Sequence, residues 1–500
     1  MSASLKPKRV GPFPFSKSDP EVRKKDFSEV EQPYTKEQVM IEADRCLRCG
    51  NPVCIDACPV QMDVRGMCDA VAKGDIKTAF HRIRETNALL GVTARCCPQL
   101  QGLCEDACVM RWGGQPISIG MIQRFVADWE KNESTQPNPA VEEETGKFVS
   151  VIGAGPAGLA AAGLLRRYGH TVTIYEELPT PGGTAWYGVP DYHLPKCVLL
   201  YEIERIKGQG VEIKTGLKVG RDITLTQMLS DGSDAILITT GPKDVTKLDI
   251  PGIDLKGVYA GYTFLEDVYV NGINEYLKHP TYDLGKEILV VGGGDSALDA
   301  ARTALRLTGG NVTIVYRRTE SEMPADPIMV DETGEEGIQF KFLTNPKACN
   351  GSGGKLVSVT MSAMKLSAPD ATGRKNPEPI PGQDFDMKCD SVLLAVGRGP
   401  NSFLQKQSDL KMGKKNSIAV DEHYRTSMAG VFAAGDVTTG ETLVVKAMGH
   451  GREAAQCVHE YLMKLEDKHI SLYETYYSQK LTEGSYQDML FGREEKLPPP

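Results

Sequence analysis

Nine of the thirteen cysteines in this 500-residue sequence fall between Cys46 and Cys108. The first four, in "CLRCGNPVCIDACPV", are Cys46, Cys49, Cys54 and Cys58; a later group, in "RCCPQLQGLCEDAC", is Cys96, Cys97, Cys104 and Cys108. Thiols at such short intervals can pair as disulfides, hold zinc, or ligate the iron of a cluster. Disulfides are disfavoured here because the count is odd and no secretory segment precedes the run.

A second chemistry is written twice farther along. "FVSVIGAGPAGLAAAGLLRRYGHTVTIYEE" reads as an apolar strand, a turn carrying Gly153, Gly155 and Gly158, a helix, and a strand ending at Glu176. "EILVVGGGDSALDAARTALRLTGGNVTIVYRR" repeats the plan with Gly292, Gly294, Asp295, Ser296 and Ala297, and ends at Arg317 and Arg318. In such a turn the first glycine permits the bend, the second lets backbone approach a pyrophosphate, and the third small residue lets helix pack on strand. An acid at the end of the second strand accepts from ribose hydroxyls, so the first copy is expected to hold FAD through Glu176. Adjacent arginines there suit a 2′-phosphate, so the second copy is expected to hold NADPH; the alternative is a solvated surface pair. Downstream, "GVFAAGDV" sets Asp436 directly after an apolar strand, where it can bond the ribityl or pyrophosphate region of a flavin.

The remaining cysteines, Cys197, Cys349, Cys389 and Cys457, are scattered singly and read as buried structural thiols. No close dithiol then stands beside the flavin to take its electrons. Zinc is redox-inert and would give those electrons no exit, whereas two iron-sulfur clusters in the cysteine-rich segment would.

These residues need elements to position them. The length accommodates about three domains. The expected division is a helical domain over 1–130 with two clusters, a polar linker over 131–147, an FAD domain over 148–260 that resumes at 391–470, an NADPH domain over 261–390, and a tail over 471–500. The fold class is α/β: two Rossmann-like dinucleotide-binding domains, the NADPH domain inserted in the FAD domain, behind an α-helical iron-sulfur domain. The net charge of −9 and the lack of a basic tract argue against nucleic acid. No run reaches about 18 apolar residues, so no membrane span is expected and the location expected is cytoplasmic.

Together "RCLRCGNPVCIDACPV", "ETN", "CEDACV", "PISIGMIQRF", "VIGAGPAGLAAA", "YGVPDYHLPK", "GGGDSALDAART", "YRR", "EMPA" and "AAGD" resemble the small, or beta, subunit of NADPH-dependent glutamate synthase over nearly the whole length. The amino-terminal part is similar also to dihydropyrimidine dehydrogenase and to flavin-bifurcating ferredoxin:NADP oxidoreductases. The resemblance implies that Cys46, Cys49, Cys54 and Cys108 hold one 4Fe-4S cluster, and that Cys58, Cys97, Cys104 and the side chain of Gln123 hold the other. It implies that the loop "GGTAWYGVPDYHLPK", from Gly182 through Gly183 to Lys196, lines the flavin. Three departures stand out. Gln123 replaces the glutamate of glutamate synthase relatives, the Cys97–Cys104 gap differs from several relatives, and Cys96 is an additional thiol that could substitute for Cys97. A neutral amide leaves a cluster less negative than a carboxylate and should raise its potential. Cys68 reads as helix packing, and His193 as packing or a hydrogen-bond donor.

The activity implied is NADPH oxidation: hydride to FAD, then single electrons through the clusters to a partner in a hetero-oligomer. Hydride transfer needs no acid or base, so no catalytic side chain is named. The partner expected is a large FMN-containing subunit that makes glutamate from L-glutamine and 2-oxoglutarate. The alternatives are a subunit of an electron-bifurcating NAD(P)H:ferredoxin oxidoreductase, and an electron-transfer scaffold whose flavin site has decayed.

Overall fold

Side-chain caps start the helices that carry the cysteine-rich part. Thr35 and Gln38 form a capping box ahead of α2 (Lys36–Asp44), while Asp63 and Asp75 accept from main-chain N–H groups at the starts of α3 (Val64–Ala72) and α4 (Ile76–Arg84). The short α1 (Pro20–Arg23) precedes them; α5 (Leu90–Cys96) and α6 (Ile119–Glu133) follow. The computed structural model of the chain describes residues 13, 14, 16–133, 137–246, 248–369, 375–401, 403, 404 and 408–465. Met67, Val71, Phe80 and Ile83 on α3 and α4 are fully buried, in a core continuous with Val149, Val151 and Leu159 of the next domain. Each such side chain contributes about 1.5–3 kcal/mol. The helical domain is thus fused by packing to the sheet that follows it.

Continuous apolar runs make two parallel sheets buried on both faces. The first sheet has β1 (Phe148–Ile152) at its centre, flanked by β2 (Thr171–Tyr175) and then β3 (Glu212–Lys214) on one side. On the other side come β4 (Ala235–Ile238) and finally β15 (Val431–Ala433), which returns from far along the chain. In the second sheet β7 (Glu287–Val291) is flanked by β8 (Asn311–Val315) and then β9 (Gln339–Lys341). Its other side is β13 (Ser391–Leu394) and then β6 (Val258–Ala260). Helices α7 (Pro156–Arg167), α8 (Lys196–Gly208) and α11 (Val444–Met463) belong with the first sheet; α9 (Asp295–Thr308) and α10 (Pro327–Glu335) belong with the second. A three-stranded antiparallel sheet, β10 (Thr344–Ser352), β11 (Lys355–Leu366) and β12 (Pro377–Lys388), is appended to the second.

The divisions expected at 260/261 and 390/391 are displaced. Strands β6 and β13 both lie in the second sheet, where Val392 pairs with Leu289 and Val258. The chain crosses between the sheets instead as an antiparallel ribbon of β5 (Pro242–Val245) with β14 (Arg398–Pro400). The expected linker also differs at its start, since α6 continues to Glu133. Farther on it is docked: Asn138 Nδ2 donates to the Arg205 carbonyl at 2.9 Å, and Glu142 N to that of Arg167 at 2.8 Å. The expected tail lies outside the described residues. Among the described residues no helix is long and apolar enough to cross a membrane.

Candidate functional site

Both glycine turns open into one cleft of about 1030 Å³. On the first, Gly153 has φ +103°, and a Cβ there would lie 2.7 Å from the Thr239 carbonyl oxygen. A Cβ on Gly158 would lie 2.0 Å from the Gly153 oxygen, which is why only glycine lets α7 pack on the turn. Gly155 and Gly183 face each other as bare backbone: a Cβ on Gly183 would come 2.8 Å from the Gly155 Cα. Glu176, at the end of β2, accepts from the N–H groups of Ala154 at 2.7 Å and Leu178 at 2.9 Å. Each of its oxygens keeps a lone pair for a ribose hydroxyl. Burial raises its pKa while those two N–H groups lower it.

Asp436 stands across the cleft with Oδ1 buried and unpartnered, and burial pushes its pKa up to about 7. A buried acceptor without a donor costs about 1–3 kcal/mol unless a hydroxyl comes to it, so the site fits a polyhydroxy dinucleotide such as FAD. Arg398 was not singled out by any motif. It lies over the Tyr262 ring at 3.6 Å, bonds Glu441 at 2.6 Å, and lines the same cleft.

The second turn matches. Gly292 has φ +150°, with a Cβ position 2.3 Å from the Ala395 oxygen; at Gly293 the Cβ would meet the Tyr316 ring at 2.5 Å. Gly294 meets nothing closer than Pro324 at 3.8 Å, leaving open backbone at the amino end of α9. That is the surface a pyrophosphate requires, with the helix dipole pointing to it. Asp295 and Ser296 line the cleft, and Ala297 is buried behind the turn. Asp295 Oδ1 accepts from Asp326 N at 2.9 Å, which ties the start of α9 to that of α10. Arg317 and Arg318 line the cleft too, Arg317 exposed and Arg318 half-buried with an unpartnered Nε.

The thiols fall into two groups. Cys46, Cys49, Cys54 and Cys108 line one small apolar cavity with Val53, Val64, Met110 and Ile117. Cys58, Cys97 and Cys104 interact with one another in a second group. Burial pushes the Cys54, Cys97 and Cys104 thiols well above their usual range and Cys108 up to about 11. Thiolates gathered there need compensating positive charge, which metal cations supply. Among the described residues no three His, Cys, Asp or Glu side chains close on a point that a single metal ion could fill. The first group lines a cavity, which fits a multi-iron cluster.

Gln123, buried on α6, donates through Nε2 to Thr93 Oγ1 at 2.6 Å and to the Leu90 carbonyl at 3.0 Å. Thr93 lies one turn before Cys97 on α5. With its nitrogen so engaged, the oxygen is the amide atom that could still coordinate a metal.

Three readings change. Cys68 is buried as expected, but it shares the cavity of the first group with Cys46. Cys197 is exposed, because it stands on the outer side of the first turn of α8; Cys349, Cys389 and Cys457 are buried. Cys96 lines the dinucleotide cleft, where its electrostatic neighbours are Lys196, Asp299 and Arg95. His193 Nε2 donates to the Arg95 carbonyl at 2.9 Å. Lys196, which closes the flavin-side loop, bonds the Val189 carbonyl and lies 4.4 Å above the Tyr269 ring; burial lowers its pKa to about 8.

Residues 147–451 match the family described as pyridine nucleotide-disulphide oxidoreductase, and residues 23–135 match dihydropyrimidine dehydrogenase domain II, 4Fe-4S cluster. The glutamate synthase [NADPH] small chain of Escherichia coli is 35% identical over 88% of this chain and 95% of its own length. The NADP(+)-dependent formate dehydrogenase subunit beta of Moorella thermoacetica is 37% identical over 82% of this chain and 60% of that protein. For the NADPH-Fe(3+) oxidoreductase subunit beta of Geobacter sulfurreducens the values are 32%, 82% and 63%. Among solved structures, Mycobacterium tuberculosis FprA in complex with NADPH shares the fold, with TM-score 0.52 and 20% identity over 70% of this chain and 90% of that one.

Proposed function

The chain belongs to the glutamate synthase [NADPH] small-chain family, NADPH-dependent iron-sulfur flavoprotein oxidoreductases, and from that premise we propose that it feeds electrons from NADPH to a partner subunit through two 4Fe-4S clusters. The partner in this reading is a large FMN-containing subunit that converts L-glutamine and 2-oxoglutarate to L-glutamate. What supports it over other acceptors is the match along 95% of the glutamate synthase small chain, against 60% and 63% of the two beta subunits.

The observation that carries the electron route is the end of α5. Cys96 lines the cleft shared by both glycine turns, and the next residue, Cys97, stands with Cys58 and Cys104. FAD and the clusters, when bound, supply hydride acceptance and one-electron transfer. The chain's own residues orient and exclude water. Glu176 and Asp436 hold the flavin dinucleotide, Gly294 and the start of α9 hold the NADPH pyrophosphate, and Arg317 with Arg318 take the 2′-phosphate. Cys46, Cys49, Cys54 and Cys108 hold the first cluster; Cys58, Cys97, Cys104 and Gln123 hold the second.

Anaerobic copurification from the native host tests this, with iron, sulfide, zinc and flavin quantified on whatever complex emerges. Two cubanes require about eight irons per chain. A large FMN-containing partner and glutamine-dependent glutamate formation are expected. Zinc without iron would overturn the route; iron with a ferredoxin or a small flavoprotein would move the assignment to the bifurcating alternative.

A further inference from the structure

Relative motion is the default for two domains joined only by crossing segments. Here a third connection is present, made by residues 16–31. Ser16–Lys17 pairs with Glu31–Gln32, and Ser18 N donates to the Val30 carbonyl at 3.0 Å, closing residues 18–30 into a loop with α1 at its tip. Arg23, the last residue of α1, is 2% exposed. Its Nε donates to Glu336 at 3.1 Å, and its Nη2 to Glu335 at 2.6 Å and to the Glu332 carbonyl at 3.2 Å.

Glu336 is also the acceptor of two arginines of α9: Arg302 Nη2 at 2.6 Å and Arg306 Nη1 at 2.7 Å. Those two guanidinium groups lie 4.7 and 4.0 Å from the ring of Tyr192, in the flavin-side loop, and Arg306 Nε donates to the Asp26 carbonyl of the closed loop at 2.8 Å. The loop's base returns to the other two domains. Val30 N donates to the Tyr192 carbonyl at 3.0 Å, while Glu29 accepts from Arg95 on α5 at 2.6 Å and lies 2.9 Å from Arg124 on α6. One segment therefore touches the helix that begins at the second glycine turn, the loop beside the flavin, and the two helices that carry Cys96 and Gln123.

We infer that residues 16–31 are a strap that fixes the NADPH half of the cleft against the flavin half, with Arg23 as the positioning residue that fastens it. This rests on the reading that NADPH and FAD share the cleft, and it adds that hydride transfer proceeds in this arrangement without a domain rotation. Arg23 is the strap's only arginine in the Glu336 cluster. Without it the buried carboxylates lose a partner, and the strap's ionic hold on α10 falls to Lys17, whose Nζ lies 3.4 Å from Glu332. A shift of about 1 Å between reacting groups costs up to about a hundredfold in rate.

The test is anaerobic stopped-flow bleaching of the flavin by NADPH in the full-chain holoenzyme, comparing wild type with Arg23→Met and Arg23→Lys. Arg23→Met should bleach at least about tenfold more slowly at saturating NADPH. Its half-saturating NADPH, FAD and iron contents, and the rate at which dithionite-reduced protein reduces ferricyanide, should match wild type, with Arg23→Lys in between. Bleaching at the wild-type rate would overturn the proposal. So would slowing that appears only as a raised half-saturation, or only with loss of FAD or iron. If NADPH fails to bleach even the wild type, the cleft reading falls, and the strap is judged separately by amide exchange over residues 295–308 and 327–336. That exchange should speed up in Arg23→Met, and unchanged exchange would also overturn it.

Discussion

Cys96 and Cys97 are adjacent in sequence and face different compartments: Cys97 stands with Cys58 and Cys104, and Cys96 lines the cleft between the glycine turns. The end of α5 produces the split, because Cys96 is the last helical residue while Cys97 has extended backbone, φ −82° and ψ 123°. Cys97→Ser should therefore lower iron from about eight to about four per chain while FAD is retained. Cys96→Ser should keep all the iron. Equal iron loss in the two variants, measured beside flavin absorbance, would show that either thiol can serve the cluster.

Most of this architecture was legible in the sequence because its chemistry is local. A glycine turn between an apolar strand and a helix is complete within about thirty residues, and both copies fold as their spacing requires. The exchange of Cys108 and Cys58 between groups is implied by family resemblance alone; in the structure Cys108 lines the cavity of Cys46, Cys49 and Cys54, and Cys58 neighbours Cys97 and Cys104. What the sequence did not disclose is long-range. Cys68 sits at a helix-core spacing that is the same whether its neighbours are leucines or thiols. The register that puts β13 beside β7 depends on pairing across a hundred residues. Arg23 looks like any surface arginine in a charged stretch until Glu335 and Glu336, more than three hundred positions away, fold over it.

Arg317 and Arg318 decide cofactor preference if they meet a 2′-phosphate. Charge-assisted hydrogen bonds contribute about 1.5–3 kcal/mol each, equivalent to about 10- to 100-fold in binding. Arg317→Ala with Arg318→Ala should raise KM for NADPH at least about 30-fold and change KM for NADH by less than about threefold. Equal changes in both steady-state constants would return the pair to the solvated-surface alternative.

The first glycine turn offers a structural test of flavin binding. Ala at Gly153 would put a methyl 2.7 Å from the Thr239 carbonyl oxygen at φ +103°, a conformation L-residues rarely adopt. Strain of about 1–3 kcal/mol follows, and it falls on the turn itself. Gly153→Ala should emerge with less than half the FAD of wild type yet with its iron intact, read from flavin released on denaturation. Full FAD occupancy would mean that the turn relaxes without losing its contacts.

His170 gives the fold a pH dependence separable from the cofactors. It is fully buried, with Nδ1 2.7 Å from Thr145 Oγ1 and Nε2 3.0 Å from His459 Nδ1, and His459 stacks on Tyr168 at 4.2 Å. Burial first, and then the neighbouring His459, lower its pKa to about 4 from the ordinary 6.5; Asp234 opposes the shift and Lys147 adds to it. A histidine whose folded pKa lies below its unfolded one binds fewer protons when folded. Its contribution is present above about pH 6.5 and is lost as the pH falls through about 4. Carboxylates titrate over the same range, so the informative quantity is the stability difference between wild type and His170→Phe. That difference should shrink by about 2 kcal/mol between pH 7 and pH 4.5, because the imidazole of the unfolded chain takes up a proton over that range and the buried one does not. Urea denaturation followed by tryptophan fluorescence at several pH values reads it, and a gap that stays constant would show that His170 does not titrate in this window.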